Sequence, residues 1–204
     1  MTKKIVTLLM CLFFSYNPLF AADYTSDKKQ LEDYVEDFLE QTYVLFQDDS
    51  INKDQLKIKV AEIIREHLHS KWMAKQTLGR AGRKLSKSQM EGFEEVYADF
   101  VVNSYSSLVS SYNGEKGVLV RVKDIDNDLF IVDTEIVNPQ DNTKTIVKYL
   151  IHEIEKGDQK NYLVGDVIVE GVSIIDSQRS EFQHILSTKG FDFLIQDLKE
   201  KSKS

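Results

Sequence analysis

The chain has 204 residues, and its 33 acidic side chains outnumber 26 basic ones, which gives a net charge of −7. This acidic balance excludes general nucleic-acid binding, which depends on cation contacts to phosphate groups. The only cysteine, Cys11, lies near the N-terminus, so a disulfide within the chain is excluded as well.

The first 22 residues are predicted to be a cleaved secretory signal. Lys3 and Lys4 provide a positive region, residues 5–14 an apolar run, and Ala21 and Ala22 the small residues of a cleavage site. The apolar run is too short to span a bilayer. We therefore expect residues 23–204 to form one domain that folds in an oxidising compartment without any cysteine.

From Ser26 to about Tyr112 the pattern is helical. The first segment has an apolar stripe at helical spacing, which must pack on another element: Leu31, Tyr34, Val35, Phe38, Leu39 and Leu45. Asn52 with Gln55 and Ser86 with Gln89 predict capping boxes at the starts of two further helices, of which the second is long. Between them, a short helix from about Ser70 is expected to end at Gly79.

Four strands are predicted at residues 118–123, 129–137, 145–155 and 162–170. The later strands have apolar residues on both sides, which indicates an apolar neighbour on each face of an antiparallel sheet. Two helices follow, the first capped by Asp176 or Ser177 and ended by Gly190. The predicted class is α+β, with N-terminal helices and a long central helix packed on a twisted, mainly antiparallel sheet.

Few residues suggest catalysis or metal binding. His67 and His69 are two positions apart on a predicted helix, which would point them in different directions, and no cysteine could complete a zinc site. His152 and Asp166 could form an acid–base pair in a hydrolase, but no nucleophile motif accompanies them. We therefore expect no enzyme activity, no metal and no cofactor.

The segment GRAGRKLSK is a basic cluster in an otherwise acidic chain. It contains Arg80, Arg83, Lys84 and Lys87. One interpretation is a solvated loop. The other is a docking patch for an anionic head group or for an acidic protein surface, because a local basic cluster attracts anions whatever the net charge.

Two stretches together resemble the MlaC family, also called the toluene-tolerance family. They are YLVGDVIVEGVSIIDSQRSEF and KWMAKQTLGRAGRKLSKSQMEGF, and they match the family's motifs in order and spacing. The matching positions in the first stretch and after it are Tyr162, Val164, Asp166, Glu170, Gly171, Ser173, Arg179, Phe182, Lys189 and Gly190. Gly165 departs from the large residue that is common in the family, so it indicates either a cavity of different width or a β-bulge.

The resemblance implies a monomeric periplasmic phospholipid carrier. Such carriers shuttle lipid between an outer-membrane lipoprotein complex and an inner-membrane ABC transporter with an MCE-domain subunit, and thereby maintain outer-membrane lipid asymmetry. The acyl chains would lie in an apolar cavity between the helices and the sheet, closed by the C-terminal helices. The segment from Glu170 to Ser173 would be the corner that folds those helices back over the sheet.

Eight side chains are predicted to line this cavity: Val101, Tyr105, Leu108, Ile131, Tyr149, Ile151, Val164 and Phe193. An adaptor that binds envelope proteins without carrying lipid is the alternative, and it would have a tightly packed interior in place of a cavity.

Overall fold

The computed structural model describes residues 18–107, 109, 112–156 and 159–203. Within these residues the chain forms six helices and five strands, which confirms the α+β class. The helices are α1 (Pro18–Phe46), α2 (Lys53–His67), α3 (Ser70–Gly82), α4 (Lys87–Ser106), α5 (Ile174–Thr188) and α6 (Phe191–Lys201). The strands are β1 (Lys116–Asp126), β2 (Leu129–Val137), β3 (Lys144–Lys156), β4 (Gln159–Val169) and β5 (Val172–Ser173).

The sheet is an antiparallel meander in which the strand order follows the chain order, β1-β2-β3-β4-β5. The predicted second strand coincides with β2. The first, third and fourth begin two, one and three residues earlier than expected, as frequently happens at element ends. The two-residue strand β5 was not predicted, because a segment this short has no hydrophobic period.

Both predicted capping boxes are present. At the start of α2, the Gln55 amide donates to Asn52 Oδ1 at 2.9 Å, and the Asn52 amide donates to Gln55 Oε1 at 3.0 Å. Ser86 and Gln89 make the same reciprocal pair at the start of α4. These bonds satisfy amides that have no partner inside a helix, so the two starts were correctly predicted.

Gly79 interrupts α3 but does not end it. Its φ of 52° and ψ of −127° lie outside the helical region, and the helix then resumes and runs to Gly82. Glycine adopts a positive φ without the steric cost that a side chain would bring. The predicted end at Gly79 is therefore a kink, and the basic cluster begins on the last turn of α3.

The segment after β4 makes a tight hairpin before α5. Glu170 and Gly171 both have positive φ, 50° and 83°, as a two-residue hairpin turn of type I′ requires. The chain then pairs back on β4 as β5, and Ser173 caps α5 by accepting a hydrogen bond from the Asp176 amide at 3.0 Å. The predicted cap at Asp176 or Ser177 was wrong, because the helix begins three residues before Ser177, at Ile174.

Asp166 connects β4 to the start of α5. Its carboxylate accepts hydrogen bonds from the Ser173 hydroxyl at 2.6 Å and from the Ile175 amide at 3.1 Å. A carboxylate at a helix N-terminus also interacts favourably with the helix dipole. The motif residues Asp166, Gly171 and Ser173 are thus structural, and they hold α5 at the sheet.

Two apolar clusters form the core. The first joins four helices and contains Met73, Ala74, Leu78, Phe93, Tyr97, Val101, Ile175, Phe182, Leu194 and Leu198. The second joins α1 to the sheet and contains Leu31, Val35, Val122, Phe130, Val132, Ile151 and Tyr162. The interior therefore has a helical part and a part in which a single helix covers the sheet.

The two faces of the sheet differ. The face that contains Phe130 and Val132 packs against α1. On the other face, Asp133 accepts a hydrogen bond from Arg121 at 2.6 Å, while at the α3 side the ring of His152 packs on Trp72 with centroids 4.6 Å apart. Near β4, both faces of the sheet thus have the apolar neighbours that were expected. Further from β4, the face opposite α1 carries charged side chains.

Candidate functional site

An apolar pocket lies between α1 and the inner face of the sheet. Ten residues from α1, the end of α2 and strands β2 to β4 line it, and none of them is an acid, a lysine or an arginine. They are Tyr34, Val35, Phe38, Leu39, His67, Val132, Tyr149, Ile151, Tyr162 and Val164. A pocket with these walls can bind hydrocarbon but offers no charged group for catalysis.

The α1 wall is built by the apolar stripe that the sequence showed. Val35, at 6% exposure, packs on the sheet, and Phe38 and Leu39 continue the same face toward the pocket. The approach is close at Gly117 of β1, where a Cβ atom would lie only 2.7 Å from Leu39 Cδ2. α1 can therefore lie flat on this end of the sheet because Gly117 has no side chain.

The strand wall depends on a β-bulge at Gly165. Leu150 pairs with Asp166 but Ile151 pairs with Val164, so Gly165 is the extra residue of β4. An extra residue shifts the alternation by one position and turns Val164 toward α1, beside Ile151. The alternation of side chains along β4 is therefore broken at this position, and the bulge interpretation of Gly165 is confirmed.

The bulge also allows close packing on the opposite face. A Cβ atom at Gly165 would lie 2.6 Å from His152 Nε2 and 3.2 Å from Trp72 Cζ3. Real Cβ atoms do not approach other atoms this closely, so a larger residue would displace these rings. Gly165 thus serves the pocket indirectly, because it positions β4 between α1 and α3.

Three polar groups meet at the rim of the pocket. The Tyr34 hydroxyl oxygen is 2.5 Å from His67 Nδ1 and 3.4 Å from the carbonyl oxygen of Tyr162. With the proton on Nδ1, His67 donates to Tyr34 and Tyr34 donates to the carbonyl, so each group is satisfied. Burial lowers the pKa of His67, opposed by the Glu66 carboxylate, and burial raises the pKa of Tyr34. Both side chains are therefore neutral at pH 7.

The pocket is narrow in this conformation. Its free volume is about 430 Å³ with the open mouth included, but the centre of a water molecule can reach only about 50 Å³ of it. Hydrogen bonds and side-chain packing hold α1 to the sheet, and α1 is not a member of the strand ladder. A movement of α1 away from the sheet would therefore widen the pocket without any change in strand pairing.

The structure places three of the eight predicted lining residues in this pocket: Tyr149, Ile151 and Val164. The other described ones lie elsewhere. Val101 is buried in the helical cluster and Tyr105 packs against that cluster, where burial raises its pKa to about 12. Ile131 points to the opposite sheet face from Val132, and Leu108 lies outside the described residues.

Phe193 is on the surface of α6, 38% exposed, with the Lys189 ammonium 4.1 Å from its ring centroid. α5 and α6 provide none of the pocket-lining residues. Sequence reasoning missed the α1 side chains as lining residues, although their stripe was recognised. It also missed His67, Val132 and Tyr162, and no motif marks His67 for this role.

His152 and Asp166 do not form an acid–base pair in the described part of the chain. The Asp166 carboxylate is bonded to the start of α5, and His152 packs against the rings of Trp72 and His69. The described residues contain no group of three or more metal-ligating side chains. Among the helices of that part of the chain, none is both long and apolar enough to cross a membrane.

Comparison with known proteins agrees with this architecture. The family model described as "MlaC protein" matches residues 36–200. A solved structure of a phospholipid-binding protein from Ralstonia solanacearum, in complex with a phospholipid, is similar in fold. Its TM-score is 0.64 at 15% sequence identity, and the match covers 86% of this chain and 96% of the other.

Proposed function

This chain belongs to the MlaC family, and from this premise we propose that it is a phospholipid-binding carrier and not an enzyme. The observation that carries the proposal is the uncharged pocket between α1 and the sheet. Each acyl methylene group moved from water into such a pocket contributes about 0.8 kcal/mol. Apolar walls therefore suffice for binding, and no catalytic group is needed.

The narrow pocket defines how lipid would enter. Because the centre of a water molecule reaches only about 50 Å³, the pocket must widen to admit acyl chains, and in this proposal α1 moves away from the sheet. The Tyr34–His67 hydrogen bond at the rim would open in that movement. The head group would remain outside in solvent, since no charged side chain lines the interior.

Within this proposal the mature chain is a monomer in the periplasm, exported by its N-terminal signal. It takes lipid at one membrane and releases it at the other, between an outer-membrane lipoprotein complex and an inner-membrane ABC transporter with an MCE-domain subunit. The result would be the maintenance of outer-membrane lipid asymmetry. Family membership and the apolar pocket support these roles.

A transfer assay tests the proposal. Vesicles with a fluorescent phospholipid are incubated with the mature chain and then removed, and the lipid that stays with the protein is measured before and after unlabelled acceptor vesicles are added. We expect retention of lipid followed by its delivery. Failure in both steps would contradict the carrier function.

The narrow interior also favours one other candidate, the adaptor that binds partner proteins and carries no lipid. The two functions differ in the same assay. An adaptor would stay folded and lipid-free at every vesicle concentration, whereas a carrier would saturate with lipid.

A further inference from the structure

A second concave surface lies between α3 and α5, away from the apolar pocket. Its floor is apolar and consists of Leu78, Ala81, Leu85, Leu186 and Phe191. Arg80 and Lys84 line its edge on the α3 side, and Gln183 and Ser187 line it on the α5 side. We call this surface the basic groove. It shares no lining residue with the pocket between α1 and the sheet.

The cations at the groove lack partners within the described part of the chain. Arg80 and Lys84, the two cations that line it, are exposed and form no ion pair there, whereas Arg83 and Lys87 are not lining residues of the groove. No acidic side chain lines the groove, whereas some exposed cations elsewhere are paired, such as Arg65 with Asp99 at 3.1 Å and Lys201 with Glu181 at 2.7 Å. The groove therefore carries a local positive potential on a chain of net charge −7.

A structural role at the end of α3 accounts for the cations of this cluster but not for the apolar floor beside them. A cation in the last turn of α3 interacts favourably with the helix dipole, and Arg80 occupies that position. Arg83 and Lys84 come one and two residues after the last helical residue, Gly82, and are therefore within range of the dipole as well. The helix end thus explains cations at this place, but it does not explain why two of them line a groove with an apolar floor.

We propose that the basic groove binds an amphipathic helical segment of a protein partner, with acidic side chains on both sides of an apolar stripe. An apolar floor between two helices fits the apolar face of a third helix. Carboxylates beside that stripe would pair with Arg80 and Lys84. A flat anionic membrane would reach the cations but not the recessed floor, so a protein segment matches both features of the groove.

The test uses a defined probe and matched variants. The probe is a synthetic helix of about 18 residues, long enough to be partly helical in water, with leucines at i, i+3, i+4 and i+7 and glutamates beside them. Its partner probe has lysine in place of every glutamate. The protein variants are Arg80→Glu/Lys84→Glu, Leu186→Gln, and the control Lys59→Glu/Lys71→Glu, which changes the net charge equally outside the groove.

We expect the wild-type chain and the control to bind the acidic peptide alike and in preference to the basic one. Charge reversal at two exposed contacts should weaken binding about tenfold or more, because attraction is lost and repulsion is added. Leu186→Gln keeps all charges and should also weaken binding, since it makes the floor polar. Circular dichroism verifies that each variant is folded.

Three results would overturn the proposal. The first is that Arg80→Glu/Lys84→Glu binds the acidic peptide with the affinity of the wild-type chain, or that the control loses as much affinity as this variant does. The second is an unchanged affinity of Leu186→Gln, which would leave only a nonspecific charge effect. The third is binding to phosphatidylglycerol vesicles without binding to the acidic peptide, which would identify a membrane surface as the occupant. The lipid content of each variant, measured in parallel, keeps this question separate from lipid carriage.

Discussion

Filling the pocket with a larger side chain should strongly weaken lipid binding without unfolding the protein. Val164 lines the pocket from β4, beside the Gly165 bulge, and is partly exposed toward the free space. We predict that Val164→Trp occupies the volume that an acyl chain needs. The backbone bond from the His69 amide to the Val164 carbonyl, 2.9 Å long, is independent of the side chain and should remain.

The size of the effect follows from the number of displaced methylene groups. Tryptophan adds about seven heavy atoms to the valine side chain, and if these exclude about four methylenes at 0.8 kcal/mol each, binding weakens by about 3 kcal/mol. This corresponds to an affinity about 100-fold lower. The assay is titration of the lipid-free chain with a fluorescent phospholipid.

The matched control is Val118→Trp, because Val118 is on β1, 45% exposed and not a pocket-lining residue. This variant should bind lipid as the wild-type chain does. If Val164→Trp is folded and has wild-type affinity, the pocket between α1 and the sheet is not the lipid site.

Three further predictions concern stability, each measured as the free energy of unfolding in urea. Gly165→Ala should lose about 1–3 kcal/mol through overpacking, since its methyl group would lie 2.6 Å from His152 Nε2. The control Gly92→Ala in α4, where the added Cβ atom would have no neighbour within 4 Å, should gain about 0.5–1 kcal/mol. Equal effects of the two substitutions would refute the bulge argument. Asp166→Ala should lose about 1–3 kcal/mol, because the Ser173 hydroxyl and the Ile175 amide lose their acceptor. An unchanged free energy of unfolding would mean that water replaces the carboxylate. Acidification from about pH 7 to about pH 5.5 should destabilise the fold. Burial lowers the pKa of three histidines below 6.5, so the unfolded chain takes up protons at a higher pH than the folded chain does. A free energy of unfolding that is independent of pH in this range would contradict those shifts. The histidines are His67, His69 and His152.

Local hydrogen-bond chemistry made several element starts predictable. The pairs Asn52–Gln55 and Ser86–Gln89 were identified because both partners of a capping box are three residues apart in the sequence. The cap of α5 was not identified, because Ser173, Asp176 and Ser177 are all residues that can cap a helix. What decides among them is the bond from Ser173 to Asp166, seven residues earlier, which depends on how β4 and β5 pair.

Pocket residues were less predictable than the fold, because lining a pocket is a tertiary property. Val101 and Val35 have similar apolar, helical signals in the sequence, but Val101 packs among helices and Val35 faces the pocket. The face of each β4 residue depends on the bulge at Gly165, which changes the alternation in the middle of the strand. A glycine among apolar strand residues was the available signal for it.

The central claim is that the mature chain carries phospholipid, and the most direct measurement is mass spectrometry of an organic extract from protein purified from the periplasm without detergent. The account predicts near-stoichiometric phospholipid with the wild-type chain and Val118→Trp, and strongly reduced lipid with Val164→Trp. A folded wild-type chain that is free of lipid and takes up none from vesicles would contradict it.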